Sequence, residues 1–266
     1  MPLSQTNDFL EESETLYTLV RDLAEADFRR VTGFKGWTID DVFVHLHVWN
    51  GFADQALNQP SDFTELFDQV APILLNGGFR AFEDPRVSER GLDLVDVWIM
   101  RAREMASRWK AVDPKQRIPW VGPSMSTRSA MTARQMETWA HGYEVYDLLG
   151  HTRVESDRVQ NIVILGINTF GWTHSVHSLP TPPLMPEVVL QSPSGQIWRY
   201  GDASAGSIRG LATDFAAVVT QVRAVADTEL AVDGAVAETW MAHAQCFAGA
   251  PSQPPLPGTR FRNERP

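Results

Sequence analysis

The sequence has a single cysteine, Cys246, so an intrachain disulfide is excluded and a reducing compartment is suited. The surrounding AHAQCFAG offers no Lys or Arg to stabilise a thiolate, which predicts a buried, structural thiol. No uninterrupted run of ~18 apolar residues occurs, so a membrane-spanning helix is not expected. The opening MPLSQTNDFLEESE lacks the basic and apolar regions of a signal peptide, and a cytoplasmic location is the expectation. Basic residues are also scarce: 23 Lys and Arg against 33 Asp and Glu give a net charge of -10. No stretch clusters the positive charge that a phosphate backbone requires, so a nucleic acid is not an expected partner.

What is present is a globular composition, 43% hydrophobic and 21% charged over 266 residues, enough for two cores. The texture changes near residue 150. The expected organisation is a helical domain over 1–152, a small α+β domain over 153–250 and a proline-rich, poorly ordered tail over 251–266.

Leu16, Leu19, Val20 and Leu23 recur at helical spacing and predict a helix over 8–31, closed by Gly33 and Gly36. Thr38, with Asp41 three residues on, is a start signal for a second helix over 38–59. Its apolar stripe is Val42, Leu46, Trp49, Ala53 and Ala56. Residues 60–87 read as a connection with a short helix over 62–70, ended by Pro72, Gly77 and Gly78. A third long helix over 88–109 carries Leu94, Trp98, Met105 and Trp109, and Pro114, Pro119, Gly122 and Pro123 then predict a loop. Ser126 or Thr127 caps a fourth long helix that ends at Gly150. Four such helices suit a bundle, whose facing positions commonly house metal ligands. Beyond it, a helix near 159–167, a hairpin in EVVLQSPSGQIWRY, and helices over 207–223 and 235–247 make up the second domain.

Chemistry concentrates in the fourth helix. Glu137 and His141 lie about 40° apart around it and roughly 6 Å apart along it, so both reach one small cation. The third ligand is expected from the second helix, where His45 belongs to the apolar stripe and His47 points about 200° away. A metal centre of His45, Glu137 and His141 is therefore predicted. The alternative for each, taken singly, is a hydrogen-bonded core residue or a solvated face. Against a solvated face, Met136, Trp139, Ala140, Tyr143 and Val145 leave little of the fourth helix polar.

The pairing of GWTIDDVFVHLHVW with RQMETWAHGYEVYDLLG resembles the DinB-like four-helix metal-binding superfamily, in particular its mycothiol-dependent maleylpyruvate isomerase branch. VVTQVRAVADTELAVDGAVAETWMAHAQCFAGAP resembles the end of a subgroup of that family. The resemblance implies an α+β protein: a DinB-like four-helix bundle followed by a small sterol-carrier-like domain. It places the family's metal ligands on His45, Glu137 and His141. It matches a domain-two arginine loosely to Arg223, and puts Glu144 where the family usually has Asp, in a proton-transfer role.

Two imidazoles and a carboxylate leave room for water or substrate, as in catalytic zinc sites, and also suit ferrous iron or nickel. In the resembled family the thiol mycothiol adds to an activated alkene, allows rotation and leaves. The expectation is thus a thiol transferase or isomerase acting on a small organic acid or thioester. The same centre also fits thiol-independent hydrolysis or lyase chemistry, or a non-catalytic metal- or ligand-binding role. Arg223, and after it Arg134, are candidates to bind a substrate carboxylate. If FGWTHSVH folds over the metal, His174 or His177 supplies general acid or base catalysis; otherwise both are surface histidines. A homodimer and a monomer are both compatible with the sequence.

Overall fold

The structure, a computed structural model, describes residues 2–75 and 78–261. The expected helix stop at Gly77 and the last five residues of the expected tail lie outside the described residues. The chain divides into two compact units, Met1–Leu148 and Leu149–Pro266. No helix among the described residues is long and apolar enough to cross a membrane.

The first unit is built on helices α1 (Gln5–Val20), α2 (Ile39–Asn58), α3 (Pro60–Leu75), α4 (Phe79–Glu83), α5 (Gly91–Trp109) and α6 (Thr127–Leu149). Helix α5 packs on both α1 and α2. Its expected apolar positions Leu94, Trp98, Met105 and Trp109 are all buried, as are Val42, Leu46, Trp49, Ala53 and Ala56 of α2. Phe43 of α2 meets Trp98 edge to face, their ring centroids 4.9 Å apart. Helix α2 starts as the sequence predicts: Asp41 N–H donates to Thr38 Oγ1 at 3.1 Å and Thr38 N–H to Asp41 Oδ2 at 2.8 Å, a complete capping box. Helix α6 ends at the expected Gly150, whose φ of 69° is the left-handed conformation that stops a helix.

Three departures in this unit shape the site. Helix α1 stops at Val20 rather than near Val31. The chain then turns, Thr32 N–H donating to Trp37 O at 2.7 Å, and Val31 bridges Thr38, so Phe34 and Trp37 are carried on a loop in front of α2. The expected connection over 60–87 is largely helical. Helix α3 runs through Pro72 because the phenylalanines on one of its faces pack on α2 and on strand β1 (Arg117–Trp120), which outweighs the local break. The proline- and glycine-rich loop after α5 forms a hairpin of β1 with β2 (Gly122–Ser126), which buries Trp120.

The second unit holds α7 (Gln160–Asn168), α8 (Phe170–Val176), β3 (Pro186–Gln191), β4 (Ile197–Tyr200), β5 (Asp202–Leu211), α9 (Ala212–Val219), β6 (Ala231–Asp233) and α10 (Ala235–His243). The sheet order is β4-β3-β5-β6, with β3 and β5 parallel and the other pairs antiparallel. The expected β3–β4 hairpin is present. The expected helix over 207–223 is instead the end of β5 followed by α9, because Ser207 to Leu211 pair along β3 before the helix begins. Gly206, at φ 103°, lets β5 approach β6 so closely that a Cβ there would stand 2.5 Å from Asp233 O. The last expected helix, over 235–247, ends at His243. Where a loose tail is expected, Ser252 N–H donates to Gln245 Oε1 at 2.9 Å and Gly258 N–H to Asp227 Oδ1 at 2.9 Å, tying this segment to the unit. Cys246 is buried, as expected of a structural thiol.

Candidate metal centre

The structure brings His45 of α2 together with Glu137 and His141 of α6. His45 Nε2 lies 3.4 Å and His141 Nε2 3.3 Å from the same atom, Glu137 Oε2. One ligand atom from each residue lies within 4.8 Å of the other two. Ligand atoms placed about 2.0–2.1 Å from a tetrahedral ion are about 3.3 Å from each other, so the two short separations suit one divalent cation.

Burial sets the protonation states that such a cation needs. It pushes the His141 imidazole down to about 4 and lowers His45, the latter helped by the charges of Arg134 and Arg80. Burial alone would raise the Glu137 carboxyl. The hydrogen bond from His141 and the charge of Arg134 outweigh it and hold Glu137 well below the usual carboxylate range.

A residue that the sequence reading did not single out fixes the tautomer of His45. Glu83, at the end of α4 and fully buried, has Oε1 2.7 Å from His45 Nδ1. The same oxygen accepts from Trp49 Nε1 at 2.6 Å, and its partner oxygen pairs with Arg80. A neutral His45 therefore carries its proton on Nδ1 and presents the Nε2 lone pair to Glu137 Oε2. Two acceptors facing each other at 3.4 Å repel unless a cation stands between them. Arg80 also donates to Asp41 Oδ1 at 2.9 Å, linking Glu83 to the capped start of α2.

The walls are aromatic. Trp37 stacks on His141 with ring centroids 5.5 Å apart and planes at 12°, and Phe34 meets the same imidazole edge-on at 5.0 Å. Arg134, one turn before Glu137, is buried with its guanidinium 5.3 Å from the Trp120 ring centroid. Arg134 Nη2 stands 3.8 Å from Glu137 Oε1.

The other residues picked from the sequence fall elsewhere. His47 is not among the converging groups. Its Nδ1 has no hydrogen-bond partner, and burial and the charge of Arg101 push it down to about 4. Glu144 is buried with Oε2 beside Gly33, where an added Cβ would be 3.7 Å away, and it too is not among the converging groups. His174, His177 and Arg223 belong to the second unit. His174 is not a surface histidine: it is buried in α8, donating from Nδ1 to Phe170 O at 2.8 Å and packed on the Phe170 ring at 4.6 Å. His177 is half-buried with its ring 5.3 Å from His243, and burial and that neighbour lower its pKa. Arg223 follows α9 in a turn where Val222 N–H donates to Ala217 O at 2.8 Å.

The family model described as mycothiol maleylpyruvate isomerase N-terminal domain matches residues 9–146. An uncharacterized protein of Mycobacterium tuberculosis is 34% identical over 252 residues, 92% of this chain and 96% of its own. The chain belongs to the mycothiol maleylpyruvate isomerase family. The family match spans α2 through most of α6, and with them His45, Glu83, Arg134, Glu137 and His141. A crystal structure of the mycothiol-dependent maleylpyruvate isomerase aligns with a TM-score of 0.49 at 13% identity, over 82% of this chain and 88% of that one. Membership of this family is what the paired helix-two and helix-four motifs had implied.

Proposed function

We propose that this protein is a metal-dependent enzyme that uses a low-molecular-weight thiol such as mycothiol to isomerise, or to transfer the thiol to, a small organic acid or its thioester. The observation that carries the reading is the meeting of the His45 and His141 Nε2 atoms on Glu137 Oε2 inside the mycothiol maleylpyruvate isomerase family match. His45, Glu137 and His141 hold the ion, with zinc the first candidate and ferrous iron or nickel next. A bound divalent ion keeps a thiol as thiolate at neutral pH and so supplies the nucleophile.

In isomerisation the sulphur bonds to one alkene carbon while the double-bond electron pair moves onto the conjugated carbonyl oxygen. Rotation about the resulting single bond, return of the pair and departure of the sulphur give the trans alkene with no net change in atoms or electrons. Around that chemistry, this chain's residues set geometry and exclude water. Glu83 holds His45 in one tautomer, and Trp37 and Phe34 cover His141. Within the first unit, the buried Glu144 is the candidate for proton exchange.

The test is turnover of cis-alkenoic acids and of thiol acceptors by the zinc-loaded protein with and without added mycothiol. Thiol-dependent turnover is the expected result. Full turnover without thiol would overturn this reading in favour of a hydrolase or lyase, and ligand binding without any turnover would favour a binding protein.

A further inference from the structure

The proposal concerns Arg134 and rests on the metal reading above. The residue is 3% exposed, yet Nε and Nη1 are buried with no hydrogen-bond partner, and Nη2 reaches only to 3.8 Å from Glu137 Oε1. A guanidinium carries five donors, and burying one without hydrogen bonds is costly. The Trp120 face beneath it offsets part of that cost but takes none of the donors.

The charges around it do not balance either. Glu83 is matched by Arg80, itself shared with Asp41. Glu137 is the nearest anion to Arg134, and in the metal reading it is committed to the ion. Ion, Glu137 and Arg134 together carry two net positive charges in a site closed by Trp37, Phe34 and Trp120. Such a site favours two anionic groups. A thiolate on the ion is one of them, and the unused donors of Arg134 call for the other.

We propose that Arg134 anchors a carboxylate of the small molecule bound at the metal centre, so that the site selects organic acids whose carboxylate lies a few atoms from the group nearest the ion. A planar carboxylate matches the fork of a guanidinium better than it matches an ammonium, so lysine is a poor substitute. Arg134 is then a binding residue held at some expense of stability, not a structural one.

The test is calorimetric titration of succinate into the zinc-loaded and metal-free protein, the wild type beside Arg134→Gln and Arg134→Lys, with inorganic phosphate as a second probe. The expected result is at least tenfold weaker succinate binding in Arg134→Gln in both metal states, and an intermediate loss in Arg134→Lys. The thermal midpoint of the Arg134→Gln protein should be equal to the wild type or higher. Equal succinate affinity in wild type and Arg134→Gln, or a lowered midpoint with unchanged affinity, would overturn the proposal. Phosphate binding tighter than succinate and lost in Arg134→Gln would overturn the carboxylate assignment. A protein that takes up no metal but still binds succinate through Arg134 would sink the metal reading while leaving this one standing.

Discussion

Glu83 Oε1 lies 2.7 Å from His45 Nδ1, and this contact decides which imidazole nitrogen faces Glu137. The same oxygen accepts from Trp49 Nε1, so Glu83 is held from two sides. Glu83→Gln should weaken metal affinity about 10–100-fold, the usual effect of losing a carboxylate behind a metal-bound histidine. The amide also directs an N–H group at Arg80 or at His45, where an acceptor is needed. Competition with a chromophoric chelator measures this, and an affinity equal to the wild type would remove Glu83 from the site.

Acid should destabilise the metal-free protein in a defined window. The ordinary His141 value is 6.5 and the folded value is about 4. Between them the unfolded chain binds a proton that the folded chain refuses, so stability rises with pH there and is lost on acidification. Full stability is therefore present above about pH 6.5. For a buried group the loss by about pH 4 is on the order of 3 kcal/mol. Glu137, held low, adds a further loss only once the pH falls below its ordinary value of 4.5. Thermal midpoints of wild type and His141→Asn from pH 8 to pH 4 check this, and the variant should show the shallower decline.

The helices that carry the three converging groups were legible because their signals are local. Thr38 and Asp41 mark the start of α2, its apolar stripe selects His45 over His47, and the spacing of Glu137 and His141 needs only the helical period. The walls of the site were not legible. No glycine or proline marks the stop of α1 at Val20, and although Gly33 and Gly36 mark a turn, nothing local lays Phe34 and Trp37 on His141. Glu83 sits in FRAFE, a segment too short to show a period, and its burial depends on Arg80, Trp49 and His45 meeting it from other elements. The β1–β2 hairpin was hidden for the opposite reason: its prolines and glycines are ordinary loop residues, and only packing of Trp120 on Trp49 and Phe63 makes it a strand pair. The stretch at 207–211, expected as the start of a helix, contains Ile208 and Gly210, both poor helix formers, and pairs with β3 instead.

Metal content separates the two histidines of α2. Elemental analysis should find near-stoichiometric metal in the wild type and in His47→Ala, and strongly reduced metal in His45→Ala and His141→Ala. His47 lies outside the converging group, so its removal leaves all three donors in place. Metal retained in His45→Ala and lost in His47→Ala would reverse the assignment.

Thr38→Ala and Asp41→Ala should differ although both break one capping box. Thr38 acts within the capping box, accepting from Asp41 N–H and donating from its hydroxyl to Asp41 Oδ2 at 2.8 Å, so its loss costs ~1 kcal/mol and lowers the thermal midpoint by about 2–4 °C. Asp41 serves two structures. Its carboxyl, held below the usual range despite burial by Thr38 and Arg80, also receives Arg80 Nη1 at 2.9 Å, and Arg80 in turn pairs with Glu83 behind His45. Asp41→Ala should therefore lower both the midpoint and the metal affinity, whereas Thr38→Ala lowers the midpoint alone. Parallel melting curves and chelator competition on the two variants make the comparison. Equal metal affinities in the two would mean that Arg80 positions Glu83 without help from Asp41.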